Sequence, residues 1–188
     1  MGMIINVLKA VVSPLGFFII GIFIFCFFIF RSSTNYSDLS IVIKDYYSVF
    51  SGAKRQFFLY WGTPLLFSAS VIQVTVITSD LSESLIVFLS ILVSGFFAML
   101  SILASKASAS NAPLYKEVLS GTVATVLIEI LLCIITIVLT IAILFIGAKL
   151  HLVALYIISF LVYYGIFVML LNILIIIKRL KALIDNAN

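Results

Sequence analysis

From Val118 to Gly147 the chain runs for 30 residues with one charged side chain, Glu129. As a helix this stretch is an apolar rod about 45 Å long, and a bilayer, whose ~30 Å hydrocarbon layer needs about 20 such residues per crossing, is the solvent that accommodates it. Four further runs have the same character: 11–30, 57–78, 85–105 and 152–177. Apolar residues make up 64% of the chain and charged residues 10%, against roughly 45–50% and about 25% in a soluble domain. The sequence therefore predicts an all-α polytopic transmembrane helix bundle of four to five hydrophobic segments, forming a single domain over 1–188. The lipid bilayer is its first expected partner. So few charges exclude a broad surface for nucleic acid.

The reactive side chains are sparse. Cys26 and Cys133 lie inside apolar runs without paired spacing, so neither a disulfide framework nor a zinc site is indicated. His151 is the lone histidine, with no carboxylate in a pattern that makes a catalytic dyad or triad. No catalytic residue, cofactor or metal is expected, and the reading is of a protein that is not an enzyme.

The ends of the runs suggest how they are threaded. The run 11–30 follows Lys9 and is not followed by a small-residue cleavage site, so it reads as an uncleaved anchor. The run 57–78 is diluted by Pro64, Ser68, Ser70, Gln73 and Thr75, which fits a span packed inside the bundle or a re-entrant segment. Nine of the eleven basic residues fall between alternate runs: Arg31, Lys44, Lys54 and Arg55, then Lys106 and Lys116, then Lys178, Arg179 and Lys181. Positive residues stay in the cytoplasm, so the expected location is the inner (cytoplasmic) membrane, multi-pass, with the C-terminus inside. Five crossings place the N-terminus outside; four, with 11–30 not crossing, place both termini inside.

Two features offer contact surfaces. Within 37–51, Leu39, Val42, Ile43, Tyr46, Val49 and Phe50 recur at helical spacing opposite Ser40, Lys44 and Ser48, a short amphipathic helix for the cytoplasmic headgroup plane or for docking a partner. The basic residues Lys44, Lys54, Arg55, Lys106, Lys116, Lys178, Arg179 and Lys181 are the expected docking surface for a soluble cytoplasmic protein. In the third run Ser90, Ser94 and Ala98 repeat at i+4, and Ser120 and Ala124 do so in the fourth; small residues let helices approach closely, within the chain or between copies in a homo-oligomer.

The fourth run carries a polar stripe. Thr122, Thr125, Glu129, Cys133, Thr136 and Thr140 step by three or four and share one helical face. An ionisable side chain at this depth costs about 2.5–3.5 kcal/mol on insertion scales and marks a functional candidate. Three readings are open: a packing stripe whose hydroxyls bond their own helix, the lining of an ion-conducting or holin-like pore around a symmetry axis, or a switch at Glu129. On the fifth run Gly165 and Asn172, and Tyr156 and Tyr163, lie seven apart and read as packing residues.

The stretch Arg55-Gln-Phe-Phe-Leu-Tyr-Trp-Gly-Thr-Pro-Leu-Leu-Phe-Ser68, the acidic turn 78–84 and the helix Leu85–Ser105 leading into a small polar loop together resemble the small membrane subunits of bacterial anti-phage cassettes, in particular the membrane subunit of the two-component Kiwa system. The resemblance implies a non-enzymatic inner-membrane sensor and scaffold that oligomerises and recruits a cytoplasmic effector in antiviral defence. That family has four spans, and the five runs here depart from it.

Overall fold

The computed structural model describes residues 39–48, 54–106 and 113–185, together with Gly21. Two compact units divide the chain, 1–41 and 42–188, and the contacts given below lie within the second. The run 11–30, save Gly21, and the ends of the amphipathic segment, including Val49 and Phe50, lie outside the described residues.

The described elements are helical. They are α1 (Leu39–Ser48), α2 (Lys54–Val74), α3 (Ser79–Lys106), α4 (Pro113–Ile146), a single 3₁₀ turn (Gly147–Lys149) and α5 (Leu152–Asp185). Among the described residues three helices are long and apolar enough to cross a membrane, over Ser79–Ser105, Tyr115–Ile146 and Leu152–Ile184, and a shorter apolar helix covers Phe58–Val74. The chain is a helical membrane bundle. Its helices outlast the apolar runs because polar ends continue the same hydrogen-bonded ladder: α4 starts at Pro113, whose missing N–H is harmless in a first turn, and α5 carries the basic tail through Lys178, Arg179 and Lys181.

The expected acidic turn 78–84 is instead the capped start of α3. The Thr78 hydroxyl accepts the Leu81 N–H at 3.4 Å and the Thr78 carbonyl accepts both the N–H and the hydroxyl of Ser82, each at 2.9 Å. Thr78 thus answers the open donors of a helix N-terminus, and Asp80 sits in the first turn, where the helix dipole favours a negative charge. The preceding run is shorter than its sequence suggests, because helix α2 stops at Val74 and Thr75–Thr78 are not helical. At this level an unpaired backbone group is costly. The Ile77 N–H is answered by the buried Ser159 hydroxyl of α5 at 3.3 Å.

Packing follows a period of seven. Leu89, Phe96 and Leu103 of α3, Leu119, Val126 and Cys133 of α4, and Val162, Met169, Ile176 and Leu183 of α5 are all buried, and apart from Val162 they form one core. A heptad seam of this kind brings neighbouring helices together at the shallow angle of left-handed bundles. Helix α2 packs on α5, and the end of its run joins Ile143, Val162 and Tyr163 in a second cluster through Ile77, Val71 and Ile72.

One close approach depends on glycine. A Cβ built on Gly165 would lie 2.5 Å from the Thr136 hydroxyl oxygen, so α5 meets α4 there only because the side chain is absent. We predict that Gly165→Ala destabilises the protein by about 1–3 kcal/mol, read as a lowered unfolding temperature in detergent, and that adding Thr136→Ala restores most of the loss by removing the clashing oxygen.

Candidate functional site

Glu129 is completely buried, yet it does not face a cavity of water or an outer surface of the chain. It faces Asn172 of α5, whose Nδ2 donates to Glu129 Oε1 at 2.6 Å. From there a relay of polar groups runs outward across three more side chains. The Tyr46 hydroxyl donates to Asn172 Oδ1 at 3.3 Å, the Trp61 indole N–H donates to the Tyr46 oxygen at 3.1 Å, and the Tyr164 hydroxyl donates to the Trp61 carbonyl at 3.2 Å. Four helices are tied by it, α1 through Tyr46, α2 through Trp61, α4 through Glu129 and α5 through Asn172 and Tyr164. Among the described residues Glu129 Oε2 has no hydrogen-bond partner, and neither has the buried Tyr163 hydroxyl.

The relay is also an aromatic collar. The Tyr46 ring meets Trp61 edge-on with centroids 6.3 Å apart, Trp61 stands 6.5 Å from Tyr164, and Tyr46 and Tyr47 are 6.2 Å apart. Burial pushes the Tyr46 phenol up to about 12, so it stays protonated and remains a donor. The collar's level along the bundle follows from helix geometry: Glu129 is 17 residues from Ile146, the end of α4, or about 25 Å. Asn172 is 20 residues from Leu152, the start of α5, or about 30 Å. Glu129 therefore lies midway along α4, which runs Pro113–Ile146, and Asn172 lies in the second half of α5.

The amphipathic helix contributes to the interior of the bundle. Tyr46 packs with Ile128 of α4 and Ile175 of α5, and Val42 and Ile43 join them beside Tyr60 and Trp61. Val42, Ile43 and Tyr46 of its apolar face thus pack against the chain's own bundle, and Lys44 and Tyr47 are exposed.

All six residues of the predicted polar stripe are buried on one face of α4. The hydroxyls of Thr122, Thr125, Thr136 and Thr140 donate to the carbonyls of Val118, Gly121, Leu132 and Thr136, at 2.6–2.7 Å. Cys133 Sγ lies 3.0 Å from Met169 Sδ. Within the chain the four threonine hydroxyls thus bond their own helix, whereas Glu129 and Cys133 reach α5, through Asn172 and Met169. The predicted small-residue motif divides: Ser90, Ser94 and Ala98 lie on the outer surface of α3 and Ser120 is exposed, whereas Ala124 is buried. Ser90 and Ser94 satisfy their hydroxyls on their own helix. Within the chain it is the larger Leu89, Phe96 and Leu103 that face α4. Tyr156, expected in packing, is exposed, whereas Gly165, Asn172 and Tyr163 are buried.

The basic residues gather at one end because consecutive helices alternate in direction. Lys54 and Arg55 begin α2, Lys106 ends α3, Lys116 lies near the start of α4, and Lys178, Arg179 and Lys181 lie near the end of α5. Lys44, Lys116, Lys178 and Lys181 are exposed, and Arg179 is half-buried within electrostatic reach of Glu117. The other end carries the exposed Asp80 and Glu83.

Of the relay, Glu129 was marked by its charge. Tyr46 was legible only as an apolar position and Trp61 only as part of the stretch from Arg55 to Ser68, although their polar tips call for partners when buried. The fold and the site together define a polytopic helical membrane protein with a hydrogen-bonded interior. Comparisons with protein-family models, with curated proteins and with solved structures find no match to the chain.

The pairing of Glu129 with Asn172 predicts an asymmetry. Asn172→Leu leaves the carboxyl buried without its donor and should cost about 1–3 kcal/mol. Combining it with Glu129→Met, which makes both positions apolar, should recover most of that loss. Thr125→Val, whose hydroxyl serves only its own helix, should change stability by less than about 1 kcal/mol. Chemical unfolding of the four proteins in mixed micelles compares them directly.

Proposed function

We propose that this chain is a non-enzymatic scaffold and sensor subunit of a bacterial inner membrane, which assembles with copies of itself and presents its basic end to a soluble effector in the cytoplasm. The observation that carries the reading is the division of polar groups: the stripe of α4 is enclosed within the chain, while the exposed cations collect at one end. A pore around a symmetry axis would need that stripe to face outward, between copies. The positive-inside rule supports a cytoplasmic place for the end bearing Lys116, Lys178 and Lys181. The outer surface of α3, with Ser90, Ser94 and Ala98, supports contact between copies, since small residues permit close approach. The resemblance in layout to the membrane subunit of the Kiwa system supports anti-phage defence as the setting.

Purification of the intact chain in mild detergent, together with the product of the adjacent reading frame, tests the proposal. The expected result is an oligomer that retains that partner, and at least a tenfold loss of retention, roughly 1.4 kcal/mol, when Lys116, Lys178 and Lys181 are replaced by Gln. A monomer that retains nothing overturns it. Ion flux through liposomes that disappears in Glu129→Ala would select the pore instead.

A further inference from the structure

The oxygen Glu129 Oε2 is buried and hydrogen-bonded to nothing among the described residues, and α1 packs beside it, with Tyr46 against Ile128 and Ile175 and bonded to the Asn172 that holds Oε1. We propose that Glu129 is a proton-binding site closed by α1, and that its proton holds α1 in its seat.

The argument starts from the two forms of the carboxyl group. As a carboxylate, Glu129 would place negative charge on an oxygen with no donor, in an interior shielded from water, and desolvating such a charge is far more costly than desolvating a neutral acid. As a carboxylic acid, the same oxygen is an unfilled carbonyl acceptor, a much smaller vacancy. The proton has a place to go. A half-turn of the Asn172 carboxamide exchanges its acceptor and its donor, so that the Glu129 hydroxyl donates to Oδ1 and Nδ2 donates to the Tyr46 oxygen. The 2.6 Å separation between Asn172 and Glu129 is short for N–H···O and lies well inside the O–H···O range. Trp61 can donate to Tyr46 in either arrangement. The relay therefore accepts a proton on Glu129 without losing its links to α1.

Lifting α1 removes Tyr46 from Asn172 and admits water, which solvates the carboxylate. Deprotonation thus favours the lifted helix and protonation the seated one, and by linkage the seated helix favours the proton. Stability of the seat is present at low pH and is lost as pH rises through the titration of Glu129. The neighbouring titratable groups are Tyr46 and Cys133, both in electrostatic contact with Glu129; beyond them lie Lys44, Asp45 and Tyr47 on α1, Tyr60 on α2, and Tyr164, Lys178 and Arg179 on α5. Between Glu83 and Lys106, helix α3 has no titratable residue. The inference does not require the scaffold reading, since it concerns the closing of the chain on itself.

Trp61 is the single tryptophan, so its fluorescence reports the seat. In the full chain in nanodiscs, acrylamide quenching of Trp61 should rise about twofold or more between about pH 5 and about pH 9 as the population shifts. Glu129→Gln, which carries a permanent neutral amide, should hold quenching at its low-pH level throughout. Tyr46→Phe, a smaller change that keeps Glu129 but cuts the relay to α1, should give raised quenching at low pH and a flattened profile, and it serves as the test if Glu129→Gln does not fold. Quenching that is independent of pH in the unmodified protein, or that titrates identically in Glu129→Gln, overturns the proposal.

Discussion

The hydrogen bond between Asn172 and Glu129 fixes the lateral arrangement of this bundle. Apolar side chains do not distinguish a neighbouring helix from lipid, because both are apolar, so packing alone leaves the rotation of each helix weakly specified. A buried carboxyl removes that freedom. Glu129 has to turn toward a donor, and Asn172 is the donor that α5 supplies at 2.6 Å. Once α4 and α5 are set by this pair, the remaining polar atoms of Asn172 recruit Tyr46, and Tyr46 in turn receives Trp61. The seat of α1 and the rotation of α2 follow from one pair of residues.

Close packing then supports what the polar pair begins. Gly165 lets α5 approach the Thr136 hydroxyl, and Gly165 and Asn172 are separated by two helical turns on one face of α5. The glycine brings the helices together and the carboxamide bridges them a heptad further on. At the other end of α5, Ser159 receives a backbone N–H from the non-helical stretch after α2. One helix thus supplies three kinds of answer to the absence of water: a side-chain pair, a backbone contact without a side chain, and a hydroxyl for stranded backbone.

The fold class was legible because it depends on a crude quantity, the length of apolar runs, and the described helices keep the runs 85–105, 118–147 and 152–177 as their cores. Finer features were legible where one residue decides them. Glu129 was conspicuous by charge, and Asn172 by being an amide among Ile and Leu. The direction of the small-residue face was not legible: Ser90, Ser94 and Ala98 point out of the bundle because Leu89, Phe96 and Leu103 fill the α3 seam at a heptad spacing visible in the sequence. Two patterns competed on one helix, and the larger side chains took the interior because they bury more surface. The role of α1 was hidden for another reason. Amphipathicity states that one face needs an apolar partner and does not name it; here the partner is the chain's own α4 and α5, and the decisive atom is the phenol oxygen of a residue counted as apolar.

The links of the relay explain how the bundle tolerates it. Glu129 lies midway along α4, and its partner Asn172 is in turn held by Tyr46, which stands against Trp61, itself beside Tyr164. The hydroxyls of Thr122, Thr125, Thr136 and Thr140 illustrate the contrast: distributed along α4, each is content with its own turn and links nothing. A group with more hydrogen-bonding capacity than its own helix can satisfy couples one helix to another, as Glu129 of α4 does through Asn172 of α5.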